Sequence, residues 1–366
     1  ALTAVKKPSS GGGSSSGGGG GSSSSGGGSG KTDTTTTTKP DGTKVQTETK
    51  KDGTKIQTET KKDGSVTKTT TNPNGSSVTE IKAADGSIGT VKTDKNGQTT
   101  AETTLSSKAI EDAKKSGEPV KAPVEVKASR DSSTAPTVKV ELPKGAGETK
   151  VEIPVTNVKP GTVAVLVHAD GTEEIVKNSL PTEDGIQLTV NGGATVKIVD
   201  NSKDFIDTRN HWAKDAINFV TAHELFSGTS DTAFTPDSPM TRAMLMTVLA
   251  RFDGQDTTGG AVWYEKAMEW ARENGISDGS DPDGSITREQ LATMLWRYAG
   301  SPAGGGSLSS FGDSASVSAY ALEAVRWAVG EGLISGTDAG LLAPQGSATR
   351  AQVATILMRF VESLTK

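Results

Sequence analysis

The sequence predicts a multidomain α + β protein: an all-α module of three helical repeats at the C-terminus, preceded by a small antiparallel β domain and a β-repeat stalk. Three observations predict it. Asp-Gly or Asn-Gly pairs recur every eleven residues, beginning at Asp41, Asp52, Asp63, Asn74, Asp85 and Asn96. Short alternating apolar segments follow between Val120 and Val199. After Asp200 the apolar period changes from two to about 3.6, and one helix pair appears three times.

Composition sets the bounds. All fifteen aromatic residues of the 366 lie between Phe205 and Phe360, so the first two hundred residues must fold without large side chains. The absence of cysteine excludes disulfides and thiolate chemistry. A net charge of −5 with interspersed signs gives no basic patch for nucleic acid, and no apolar run approaches membrane-spanning length. Ala1 to Ser10 hold neither an initiator Met nor an apolar leader, which reads as a processed or truncated piece.

Residues 1–30 are a Gly/Ser-rich flexible linker, because such a chain buries too little surface to offset its ordering entropy. Residues 31–102 form the stalk. Each Asp-Gly or Asn-Gly is a type I′ hairpin signal, and Thr54 to Lys61 alternates Thr and one apolar residue on one face with Lys, Gln and Glu on the other. The prediction is a β-meander, with disorder the alternative because each strand buries so little. Residues 103–202 read as a short helix between Leu105 and Gly117, then a sandwich-like domain with strands at Val138–Leu142, Val151–Val155, Val163–Val167, Ile186–Val190 and Thr195–Val199. His168 sits at a strand end as an ordinary polar residue.

The repeats occupy residues 203–254, 255–302 and 303–366. Their first helices align from Trp212, Trp263 and Tyr320, each with a small residue four on and an aromatic three beyond, at Phe219, Trp270 and Trp327. That spacing traces one helical face and assigns the second aromatics to the core. A glycine turn follows at Gly228, Gly279 or Gly336, and each second helix opens with Thr-Arg, at Thr241, Thr287 and Thr349. The arrangement predicts about six main helices in a pseudo-threefold unit. Thr at the N-cap with Gln290 or Gln352 three residues on makes a capping box, whereas Met244 leaves the first repeat only half of one.

This pattern resembles the S-layer homology family, on its tetrads Thr241-Arg242-Ala243-Met244, Thr287-Arg288-Glu289-Gln290 and Thr349-Arg350-Ala351-Gln352, and on Phe205-Ile206-Asp207 and Phe311-Gly312-Asp313. The middle repeat keeps only Asp256 of that second element. The resemblance implies a non-catalytic anchor that holds a secreted protein on the wall or S-layer of a Gram-positive-type bacterium. Its partner would be a secondary cell-wall polysaccharide, pyruvylated or otherwise anionic. Assembly on the cell surface is left open, and neither cofactor nor metal is implied. A softer likeness to clostridial surface proteins covers Val151 to Asp200.

Arg242, Arg288 and Arg350 stand at the first helical position, where a cation gains nothing from the helix dipole. Exposed helix-start amides beside a forked guanidinium would suit a sugar carboxylate. The competing reading has these arginines bonding loop carbonyls, or Asp207, Asp256 and Asp313, to tie repeat to repeat. The expected binding set is Arg242, Arg288, Arg350, Asp207, Asp256, Asp313, Trp212, Trp263, Tyr320, Gly228 and Gly336, with Arg242 and Arg350 dominant because the middle repeat has a shortened loop. That loop, Asp281 to Ile286, does not fit a calcium frame, which would place Gly279 and Gln290 where acidic ligands are required. Three scattered histidines and no nucleophile elbow give an enzyme no support. Two other readings stay open: an adhesin whose β region binds an external ligand, and an anchor for an enzyme domain outside this sequence.

Overall fold

A computed structural model describes residues 33–364; the expected Gly/Ser linker lies outside them. The stalk is a seven-strand meander of β1 (Asp33–Thr38), β2 (Lys44–Thr49), β3 (Lys55–Thr60), β4 (Val66–Thr71), β5 (Ser77–Lys82), β6 (Ile88–Thr93) and β7 (Thr99–Thr104). Its turns are not type I′. Only the glycine takes positive φ, for example Gly42 at 86°. Gly42 N donates to Lys39 O, Lys39 N donates to Thr43 O, and the Asp41 carboxylate accepts from Thr43 N. This is a type I turn closed by a left-handed glycine, which leaves Asp in the ordinary right-handed region and uses its side chain to hold the turn.

Strands such as β3 alternate as expected, but the stalk reaches the domain core only at its inner end, through Val91 of β6 and Ala101 of β7. Val45 pairs with Glu59 and Glu48 with Ile56. An odd repeat length sends equivalent residues of neighbouring strands to opposite faces, so β2–β3 and β3–β4 set Thr/apolar rows beside rows with Lys, Gln or Glu, whereas β4–β5 sets Thr67 against Ile81 and Thr69 against Thr79. Cross-strand pairs such as Thr69–Thr79, with hydroxyls 3.1 Å apart, hold the layer in place of a core.

After α1 (Ser107–Ser116), capped by Ser106 and ended at Gly117, come β8 (Val120–Lys121), β9 (Val126–Lys127), β10 (Thr137–Glu141), β11 (Glu148–Thr156), β12 (Thr162–Val167), β13 (Glu173–Ile175), β14 (Leu180–Pro181), β15 (Gly185–Asn191) and β16 (Gly193–Asp200). Stalk and β domain share one sheet of eleven strands, β1 through β7 and then β10-β16-β12-β13. The junction is a parallel β7–β10 pair, so the sandwich is mixed rather than purely antiparallel, and the expected boundary at 102/103 falls inside β7. The second sheet, β14-β15-β11-β8, packs over the inner part of the first around Val138, Val151, Ile153, Ile186 and Ile198. At Gly89 a Cβ would stand 1.9 Å from Pro123 O, so only glycine lets the β8–β9 segment close on β6. Gly89→Val is expected to destabilise the β domain by about 1–3 kcal/mol, read as a lower first transition in scanning calorimetry, with the helical module unchanged.

The helical module contains α2 (Lys214–Ala222), α3 (Arg242–Phe252), α4 (Glu265–Glu273), α5 (Arg288–Tyr298), α6 (Leu322–Gly330) and α7 (Arg350–Leu364). The first helix of each repeat packs on the second helix of the preceding one: α4 on α3, α6 on α5, and α2 on α7, which closes a ring. Three buried residues mark the axis. Met240 N donates to Ala348 O, Ala348 N to Ile286 O, and Ile286 N to Met240 O. At the other end Phe252, Tyr298 and Phe360 form an aromatic triangle with centroids 5.9 to 6.3 Å apart. Phe219 and Trp327 are buried and Trp270 packs against the same core, as their spacing predicts.

Candidate functional site: grooves shared by three repeats

The tetrad threonines cap their helices. Thr241 Oγ1 accepts from Met244 N, and the second and third helices complete the box with Gln290 and Gln352. The helix-start amides are not free, contrary to the sequence expectation. Arg242 N and Ala243 N donate to Gly284 O and Pro282 O, Arg288 N and Glu289 N to Gly346 O and Pro344 O, and Arg350 N and Ala351 N to Ser238 O and Pro236 O. Each second helix thus docks its N-terminus on the loop of the next repeat, and the third docks on the first. This satisfies orphan donors that sequence reasoning assigned to a ligand.

The arginine side chains follow the same cycle. Arg350 Nε donates to Phe234 O and its Nη2 to Ser227 O, with the guanidinium 4.3 Å from the Phe234 ring centroid. Arg288 Nε donates to Leu342 O at 2.7 Å, and its terminal nitrogens have no acceptor among the described residues. Arg242 Nε donates to Ser280 O, and its Nη2 pairs with the Asp278 carboxylate at 2.9 Å. Tying of repeat to repeat is therefore one role of all three.

Asp207 and Asp313 hold the loops that receive these arginines. Asp207 accepts from Phe234 N and Thr235 N, and Asp313 from Leu342 N and Ala343 N. Burial pushes both carboxyls up, but the amide donors outweigh it and keep them below the usual carboxylate range. The middle repeat lacks the Phe234-Thr235 type of segment, and Asp256 turns away to Thr258 and Lys266, which hold its pKa down to about 2. Asp256 does not join an arginine site.

Trp212, Trp263 and Tyr320 precede their helices and are exposed, at 66%, 54% and 54%. In one groove of about 470 Å³, Trp212 of the first repeat faces Arg288 of the second and Ser335, Gly336, Thr337 and Asp338 of the third, over a floor that includes Gln352, Ile356 and Arg359. Three predicted site residues thus meet in one groove, each from a different repeat. The related groove of the middle repeat brings Tyr320 near Arg242 and Arg297. Gly228 lies in a neighbouring cleft with Phe205 and Arg251, and Trp263 meets Tyr264 edge to face.

Arg251, Arg297 and Arg359 are the residues that sequence reasoning missed. Their guanidinium groups donate to Leu225 O, Ile276 O and Leu333 O, which fixes them beside the turns. A signal existed, since an arginine precedes an aromatic at the end of every second helix: Arg251-Phe252, Arg297-Tyr298 and Arg359-Phe360.

The S-layer homology domain profile matches residues 204–243 and 310–354. An exoglucanase XynX of Acetivibrio thermocellus is 30% identical over 184 residues, which is 45% of this chain and 17% of that protein. An amylopullulanase of Thermoanaerobacterium thermosulfurigenes is 27% identical over 179 residues, 44% of this chain and 10% of that protein. The chain therefore spans less than a fifth of either relative's length.

Proposed function

The C-terminal region of this chain belongs to the S-layer homology family of cell-surface proteins, and from that premise we propose that it holds a secreted protein on the wall by binding an anionic secondary wall polysaccharide in the grooves between repeats. S-layer homology domains place the chain at the surface of a Gram-positive-type bacterium. The observation that carries the finer reading is the groove of Trp212, Arg288 and Arg359: an exposed indole face for a sugar ring beside two guanidinium groups for its charge. Hydrogen bonds within the protein engage only Nε of Arg288, whereas Arg350 and Arg242 each engage Nη2 as well. In this reading Arg288 therefore leads, which reverses the ranking drawn from loop length.

The reading is of binding rather than catalysis. In its support, His223 is locked between two backbone carbonyls, and His168 and His211 face the exposed carboxylates of Glu174 and Asp237. Among the described residues no helix is long and apolar enough to cross a membrane. The relatives' names favour a second reading of the cargo, that the anchored partner is a carbohydrate-active enzyme domain.

Sedimentation with purified wall sacculi tests the proposal. Arg288→Ala and Trp212→Ala are each expected to weaken binding about tenfold to a hundredfold, the range of one lost charge-assisted contact or one sugar-stacking face. Full binding by the folded double variant, or binding that survives chemical removal of the non-peptidoglycan polymer, would reject the groove or the ligand class respectively.

A further inference from the structure

The three grooves are built on one plan, but the middle one is already occupied by a carboxylate of the protein. Helix 1 of each repeat ends in the same hydrogen-bonded turn, with Leu225 N, Ile276 N and Leu333 N donating to Val220 O, Ala271 O and Ala328 O. Counted from that bond, Ser227, Asp278 and Ser335 are equivalent. Ser227 offers its backbone oxygen to Arg350 at 2.7 Å, and Ser335 lines the open groove with Arg288. Asp278 instead sends its carboxylate to Arg242 Nη2 at 2.9 Å, while the same oxygen accepts from Ser280 N and Ser280 Oγ. Those two donors hold the carboxylate in place, so it does not depend on the ion pair for its position.

We propose that Asp278 fills the anion position of the middle groove and silences it, so that the protein carries fewer working sugar-carboxylate sites than repeats. The inference rests on the reading of the grooves as sites for an anionic saccharide. An incoming carboxylate must displace Asp278 from Arg242 and would then lie against its charge. At the other two arginines the nearby acids, Asp207 and Asp313, stay on the backbone amides of their loops, so among the described residues neither Arg350 nor Arg288 is capped by a direct carboxylate contact. A second carboxylate, Glu289, stands behind the middle groove. It is buried and accepts from Ser318 N, Ser318 Oγ, Tyr320 and Gln345, so it braces the third repeat and does not reach Arg242. The shortened loop gives the physical reason for the plug. Without a loop for Asp256 to hold, Arg242 lacks the nearby carboxylate that Asp207 and Asp313 supply to Arg350 and Arg288, and Asp278 provides it by direct contact.

The test is calorimetric titration of the full chain with a methyl hexoside bearing a pyruvate ketal. Asp278→Ser installs the residue of the outer repeats, and Asp278→Asn keeps the turn acceptor for Ser280 N while removing the charge. Both variants are expected to gain one site per chain over the unsubstituted protein. In the Asp278→Ser background, Arg242→Ala is expected to abolish that gain. Unchanged stoichiometry in both variants, with intact circular dichroism, would overturn the role of Asp278 and leave the anionic-saccharide reading standing. Failure of every protein to bind the probe would overturn both.

Discussion

A chain ending at residue 302, which lacks the third repeat, is expected to lose cooperative folding of the first two repeats as well. The ring is closed by α7, which covers α2 of the first repeat and places Arg350 under the Phe234 loop. Val353, Ile356, Leu357, Phe360 and Val361 are its buried large apolar side chains. At about 1.5–3 kcal/mol each, their burial contributes roughly 7–15 kcal/mol, as much as the whole stability of a typical domain. The truncated chain also leaves Met240 N without its acceptor Ala348 O, and Arg288 without Leu342 O. The third repeat by itself, residues 303–366, is expected to be largely unfolded for the same reason. Circular dichroism melts of the two fragments check this. A cooperative transition in either fragment at the temperature of the intact module would show that repeats are independent units and that the ring is incidental.

A second large effect is expected from pH, through His223. This imidazole is fully buried where the first repeat meets the β domain, with Nδ1 2.8 Å from Phe219 O and Nε2 2.8 Å from Ser179 O. Burial lowers its pKa to about 4, although both carbonyls favour the protonated ring. Unfolded, it takes up a proton near 6.5, so the unfolded state binds more protons between these two values. Stability is fully present above pH 6.5, falls as pH drops toward 4, and levels off below. The gap corresponds to about 3 kcal/mol. The groups facing this joint are Lys177, paired with Glu224 at 3.3 Å, and Asn201, which donates to Ala222 O. Urea midpoints at pH 7.0 and 4.5 should differ by most of that amount, and His223→Gln should remove the difference. An equal pH dependence in the variant would assign it to the carboxylates instead. Since α2 packs on β12 around Ala222 and Val163, acidification is expected to loosen this joint before the ring.

The odd repeat of the stalk, the three helix pairs, the caps and the core aromatics are all legible in the residues. Each is governed by contacts within one repeat or by a local period. Thr287 with Gln290 makes its box from positions three apart, and Phe219 and Trp327 are buried because helical spacing puts them on the inner face. The arginines could not be read in the same way. Their position in the helix was evident, but the carbonyls they meet, Ser280, Leu342 and Phe234, belong to a different repeat in every case.

The sequence by itself determined the number of repeats, their helical character and the residue types available to a groove. It also determined that the stalk would lack a core, because no periodicity can make an apolar face from so few apolar residues. Only the tertiary structure decided that β7 joins the stalk to the β domain by a parallel pair, that the helix-start amides are spent on neighbouring loops, and that Trp212, Arg288 and Gly336 share a groove. The physical reason is the ring itself. When helix 1 of one repeat packs on helix 2 of the one before, side chains far apart in the chain become neighbours, and no local period records that step.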